Sequence, residues 1–134
     1  MNVICDSDVL IDYWDTKKLR HFNTKNILDN SIGISNVLIS AISFMELIVG
    51  VNNKEDLAKK QKNLKIFNCI LLNQSISEKA IILLSEYRLS HGLSIPDSLI
   101  AATGIETDLP LFTYNVKDST FIKNLNIYNA AFTK

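Results

Sequence analysis

Val3-Ile4-Cys5-Asp6-Ser7-Asp8-Val9-Leu10-Ile11-Asp12 is the stretch on which the reading of this chain turns. Asn2–Cys5 is a short apolar run of strand length, and it stops on Asp6-Ser7-Asp8, which offers several N-cap candidates. Val9–Trp14 then reads as the first turns of a helix. Capping needs one side-chain acceptor, yet two acids and a hydroxyl stand at this junction. An ionised carboxylate beside strongly apolar sequence is costly unless it is paired, and several together repel. A divalent cation resolves both problems. Asp6 is the better ligand candidate of the two, because a strand end directs it toward the cleft expected beyond the sheet.

Outward from this unit, short strands and helices alternate. Lys17–Asn30 reads as a weaker helix anchored by Leu19, Phe22 and Ile27, and Asn36–Ile42 as a β-rich run. Ser43 is placed to cap the helix Phe44–Val51, and a lysine-rich helix runs from Asn53-Lys54 to about Phe67. Cys69–Leu72 has the composition of a short buried strand. Ser75-Ile76-Ser77-Glu78 has the spacing of a capping box. The helix behind it puts Ala80, Leu83, Leu84 and Tyr87 on one face and ends at His91-Gly92. Pro96 suits the first turn of a helix reaching about Glu106. Leu111–Thr113 is a further strand, with a short helix near Asp118–Asn124 and a last strand at Ile127-Tyr128. This alternation predicts α/β layers around a mostly parallel sheet, in one domain over residues 1–134. The ends of the first strand and of Leu111–Thr113 should meet at one edge.

Two further acids stand out. Glu46 lies on a helix, Ile42–Val51, apolar around nearly its whole circumference, which predicts burial on most sides. Its ordinary explanations are a narrow polar stripe with Ser43 and Gly50, or an internal salt bridge to Arg20 or Arg88. Asp97 follows Pro96 at a helix start, where the helix dipole by itself favours an acid by about 0.3–1 kcal/mol. Behind it Ala101, Ala102 and Gly104 permit close packing. Thr113-Tyr114-Asn115-Val116-Lys117-Asp118 follows an apolar strand and gains weight from its expected place beside Asp6.

Composition narrows the classes. Hydrophobic residues are 47% and charged residues 21%, enough for a core. Fourteen bases balance fourteen acids, which argues against a strong non-specific nucleic-acid coat. Lys54, Lys59, Lys60, Lys62 and Lys65 read as a solvated helix face. Cys5 and Cys69 form no CxxC pair and are expected to be buried free thiols in a reducing cytoplasm. His21 and His91 are too few and too separated for a zinc site. The acids at the N-terminus interrupt any secretory h-region, and no apolar run approaches the ~20 residues that span a bilayer.

Four segments, taken together, resemble a known family. Cys5-Asp6-Ser7-Asp8-Val9-Leu10-Ile11-Asp12 looks like the opening motif of PIN-domain proteins of the VapC toxin type. Ile39-Ser40-Ala41-Ile42-Ser43-Phe44-Met45-Glu46-Leu47 is similar to their second acidic motif, and Ile95–Thr103 to their third. Leu111–Asp118 is similar to the last. The order is right and the motifs span the chain. The resemblance implies a three-layer α/β/α fold and a Mg²⁺- or Mn²⁺-dependent endoribonuclease. Carried over by motif, Asp6, Glu46 and Asp97 match the three family acids. Asn115 stands where many members have Asp, and Asp118 is expected to complete the acidic cluster. Ser7, Thr113 and Asn115 are expected to orient ligands or water. The resemblance also implies an RNA substrate such as tRNA or rRNA, a cognate antitoxin protein and a homodimer.

Two other readings compete. Val3–Asp8 also fits the hydrophobic-DxD signature of haloacid-dehalogenase-like phosphohydrolases, with Asp6 as nucleophile and Asp8 as general acid. That reading leaves Asp97 without an acidic neighbour and Glu46 without a role. A catalytically silent PIN-like interaction module is the non-enzymatic alternative. A receiver domain lacks its acceptor, because Cys69–Leu72 runs into Asn73-Gln74.

Overall fold

The computed structural model of the chain describes residues 1–130. Strands β1 (Val3–Cys5), β2 (Val37–Ser40), β3 (Asn68–Ile70) and β4 (Leu111–Phe112) form one parallel sheet in the order β3-β2-β1-β4. Val3 pairs with Val37, Ser40 with Ile70, and Ile4 with Leu111. The chain leaves β1 toward β2 on one side and returns as β4 on the other, so the order reverses at β1. Ligands of open α/β sheets bind beyond the strand ends at such a switch point.

Among the described residues, six α-helices flank the sheet: α1 (Ser7–Trp14), α2 (His21–Asn26), α3 (Ala41–Val49), α4 (Lys54–Leu64), α5 (Gln74–His91) and α6 (Ile95–Thr107). The period of two along β1 sorts its side chains between two layers. Val3 and Cys5 pack with Val9 and Leu10 of α1, Leu47 of α3 and Leu64 of α4. Ile4 faces the other way, onto Ile100 of α6 and Leu111. Behind α6 lies α5, whose Ile76, Ala80 and Leu83 meet Ala101 and Ala102. Leu84 and Tyr87 join this face half-buried, as the helical spacing predicts. The result is a three-layer α/β/α fold. Gly104 lets α6 approach closely: a Cβ there would stand 2.9 Å from Leu125 Cδ1. Gly92 ends α5 in the left-handed region at φ 68°. No described helix is long and apolar enough to cross a membrane.

Several expectations need correction. Lys17–Asn30 is not one helix. A turn held by Lys17 N–H donating to Asp15 Oδ1 at 2.9 Å precedes α2, and α2 continues into a π-helical segment, Ile27–Ile32. Leu19 and Phe22 are exposed, whereas His21, Thr24, Ile27 and Leu28 face the core. Of the three expected anchors Ile27 is buried, but packing, not the phase of Leu19 and Phe22, decides the rest of the buried face. The caps also shift. Asn73, not Ser75, accepts from the Ile76 N–H and starts α5, and Ser40, not Ser43, caps α3. Helix α3 is not buried all round, since Met45, Glu46 and Val49 are exposed.

Cys5 is buried as expected, but Cys69 is exposed, because β3 is an edge strand paired only with β2. The expected helix at Asp118–Asn124 shrinks to a 3-10 turn, Val116–Asp118, followed by turns and a left-handed Asn124. The expected strand at Ile127-Tyr128 is a single bridge to Leu111.

Candidate active site

Asp6 is the N-cap of α1 and sits at the carboxyl end of β1. Its backbone N–H donates to the Phe112 carbonyl at 2.9 Å, which ties it to the end of β4. Three donors from three segments fix its side chain. Ser7 N–H donates to Oδ1 at 2.8 Å, Ser43 Oγ to Oδ1 at 3.3 Å, and Thr113 Oγ1 to Oδ2 at 3.0 Å. Ser43 and Thr113 are buried, so these hydroxyls gain from meeting a carboxylate rather than apolar atoms.

Glu46 comes in from α3, where the Ser7 hydroxyl donates to Oε1 at a long 3.5 Å. Partial burial raises its pKa, and the charges of Asp6 and Asp97 raise it further. Asp97 lies in the first turn of α6, its N–H donating to the N-cap Ser94 Oγ at 3.2 Å. Burial raises its pKa as well; the Ser94 hydrogen bond opposes this, and Asp6 and Asp118 add to it. Asp118 stands on the turn after β4, with Asn115 Nδ2 donating to its Oδ2 at 2.5 Å. Asn115 is in turn placed by its N–H donating to Thr113 Oγ1 at 3.1 Å. Asp6, Glu46 and Asp97, far apart in sequence, therefore lie within one another's fields at the switch point, and Asp118 lies within that of Asp97. Neither salt bridge conceivable for Glu46 forms: Arg20 is bound to Asp12, and Arg88 donates to the Gly92 and Leu93 carbonyls.

Two residues matter more than their sequence context indicated. Ser43, expected only as a cap, is a direct donor to Asp6; its position three residues before Glu46 on α3 was the available signal. Asp8 is the second. Its Oδ2 accepts from the Tyr114 N–H at 3.1 Å, while its Oδ1 is buried without a hydrogen-bond partner. Burial first, and the Asp6 charge second, push its pKa up to about 6. Asp8 thus joins the start of α1 to the end of β4 beneath the cluster.

Among the described residues, no three His, Cys, Asp or Glu side chains stand close enough together to hold an ion as they are. The donor set nevertheless fits a hard divalent cation. It consists of carboxylates and hydroxyls, mutually repelling, with one buried carboxylate oxygen unsatisfied. Mg²⁺ keeps several waters and takes only one or two carboxylates directly, so three acids in simultaneous contact are not required.

Residues 3–121 match the family model described as PIN domain. The chain belongs to the PIN domain family. This PIN domain is similar to a chain of a toxin–antitoxin complex from Klebsiella pneumoniae, with 27% identity, a TM-score of 0.76, and coverage of 96% of this chain and 98% of that one. It shares its fold with a chain of VapBC2 from Rickettsia felis bound to a DNA fragment from their promoter, at 24% identity, a TM-score of 0.75 and coverage of 96% and 98%. It shares it too with Mycobacterium tuberculosis VapC20, a sarcin-ricin loop cleaving toxin, at 14% identity, a TM-score of 0.67 and coverage of 93% and 99%. No curated protein matches the chain.

Proposed function

We propose that the chain is a single-domain, Mg²⁺- or Mn²⁺-dependent endoribonuclease, the toxin of a VapBC-type toxin–antitoxin pair. The observation that carries this reading is the Asp6 carboxylate, oriented by Ser7, Ser43 and Thr113 within the fields of Glu46 and Asp97. Asp6, Glu46 and Asp97 are the residues that would hold the cation, with Asp118 completing the acidic cluster. Bound there, such a cation supplies Lewis acidity toward a phosphodiester oxygen and lowers the pKa of a water.

The chain's own groups do the positioning. Ser43 and Thr113 fix the Asp6 carboxylate from opposite sides, so its rotamer does not depend on the ligand. Ser7 bridges toward Glu46, and Asn115 holds the Asp118 carboxylate. Every one of these groups orients or holds an acid, so the chain needs no side-chain nucleophile.

The toxin–antitoxin likeness at 27% identity supports a cognate antitoxin as inhibitor. A homodimer in the cytoplasm is part of the same proposal. The test is cleavage of a labelled RNA by the purified chain with Mg²⁺, with EDTA, and with Asp6→Asn or Glu46→Gln. Cleavage is expected only for the parent chain with metal. Undiminished cutting in EDTA would overturn the metal assignment, and cutting at the parental rate by either variant would remove that residue from it.

A further inference from the structure

A basic turn that reaches the Asp8 end of the site through Tyr114 is built more rigidly than solvation requires. Lys17-Lys18-Leu19-Arg20 connects α1 to α2. Arg20 Nε donates to Asp12 Oδ2 at 2.6 Å, and the Asp12 side chain is 6% exposed. The guanidinium lies 3.8 Å from the centroid of the Tyr114 ring, a stack of the kind arginine favours. Tyr114 is itself held at both ends, by its hydroxyl bonded to Thr24 and by its N–H donating to Asp8. His21 Nδ1 donates to the Asp12 carbonyl at 2.9 Å and pins the turn from the other side. A continuous set of contacts therefore runs from Asp8 through Tyr114 to Arg20.

Neutralising a buried Asp12 accounts for one bond of this arrangement. It does not account for the rest. Arginine carries five N–H donors, and among the described residues only Nε is bonded to an acceptor. The side chain is 52% exposed although its plane is fixed on two sides. Next to it lies a depression of ≈ 380 Å³ lined by Asp12, Lys17, Lys18, Leu19 and Arg20, with both lysines exposed. A pre-oriented guanidinium with free donors, flanked by two lysines, matches the geometry of a phosphate. In a chain with zero formal charge, a polyanion must be held by local cations of this kind.

We infer that Arg20, clamped by Asp12 and stacked on Tyr114, grips a backbone phosphate of an RNA strand whose scissile bond lies at the acidic cluster. Lys17 and Lys18 extend this grip along the strand. The inference rests on the nuclease reading and adds a substrate-positioning residue to it.

The experiment titrates a fluorescently labelled single-stranded RNA oligonucleotide of mixed sequence with the full chain in EDTA, over a series of salt concentrations. The decisive variant is the pair Asp12→Asn with Arg20→Gln, which keeps a hydrogen bond between the two side chains and leaves net charge unchanged. It is expected to bind ~10-fold more weakly and to flatten the slope of log K against log[salt] by about 0.7, the signature of one lost phosphate contact on a single strand. Arg20→Lys should keep the slope and bind a few-fold more weakly, since the charge stays but the planar fork is lost. With Mg²⁺ and a cleavable RNA, the pair variant should raise KM with kcat little changed. If the pair variant melts early, Arg20→Gln alone is read by the same slope. Parental affinity and slope in these variants, with the parent chain cutting RNA, overturn the role of Arg20 and leave the nuclease reading intact. A parent chain that neither binds nor cuts RNA overturns both.

Discussion

The buried Ser43 hydroxyl donates to Asp6 Oδ1 at 3.3 Å, joining α3 to the end of β1. The same helix carries Glu46, so one contact sets the distance between two acids. Ser43→Ala removes it while Ser7 N–H still bonds to Oδ1. Cleavage should fall about 10-fold or more, as for other residues that orient a ligating carboxylate. Stability should fall by only about 1 kcal/mol. Single-turnover rates alongside urea melts check both. A large loss of stability with normal cleavage would make Ser43 a folding residue alone.

Asp6, Glu46 and Asp97 repel one another in the metal-free chain. Glu46→Gln removes one of these charges from a partly exposed position and should raise the melting temperature in EDTA slightly. With Mg²⁺ added, the parent chain should gain stability and the variant much less, because an ion that binds only the folded state stabilises it by mass action. Scanning calorimetry of both proteins in EDTA and in Mg²⁺ measures the difference. Equal gains would exclude Glu46 from ion binding.

Asp8 provides a pH test of the buried end of the site. Its pKa rises from 3.8 to about 6 in the folded chain, so between these values the folded chain holds a proton that the unfolded chain releases. The stabilising contribution is full below about 4 and is lost as pH rises through about 6. Stability in EDTA should therefore decline from pH 4 toward pH 7 by on the order of 1 kcal/mol from this group, after allowance for solvent screening. Asp8→Asn should flatten that part of the profile. Urea midpoints at a series of pH values provide the measurement, and an unchanged profile in the variant would assign the dependence to other groups.

Asn115 and Asp118 share a 2.5 Å hydrogen bond, but only Asp118 brings charge to the field around Asp97. Asp118→Ala should lower kcat by at least about 10-fold, while Asn115→Ala, which only frees the Asp118 carboxylate to rotate, should cost a few-fold. Parallel kcat measurements decide, and the reverse order of effects would give the fourth position to Asn115.

How much of this was legible in the sequence depends on the range of the interaction involved. Val3–Cys5 ending in Asp6 was readable as a strand running into a helix, because alternation and capping act over neighbouring residues. So were the Ala80, Leu83, Leu84 and Tyr87 face, the Gly92 terminus and the Pro96 helix start. From the order of strands and helices the layered architecture followed, and with it the meeting of Asp6 and Thr113. What sequence could not decide was set between segments. Of the expected anchors Leu19, Phe22 and Ile27, only Ile27 is buried; packing put His21, Thr24 and Leu28 beside it instead. Cys69 had strand composition, but its burial depended on whether β3 lay inside the sheet or at its edge. Ser43 reads locally as a cap, a role that Ser40 takes, and only the approach of α3 to β1 turns the Ser43 hydroxyl onto Asp6. The clamp of Asp12, Arg20 and Tyr114 likewise needs residues eight and ninety-four positions apart to meet. Local propensity and period determined the elements. Their phase, caps and polar contacts were decided by tertiary packing, where burying a surface or satisfying a polar atom outweighs propensities of a few tenths of a kcal/mol.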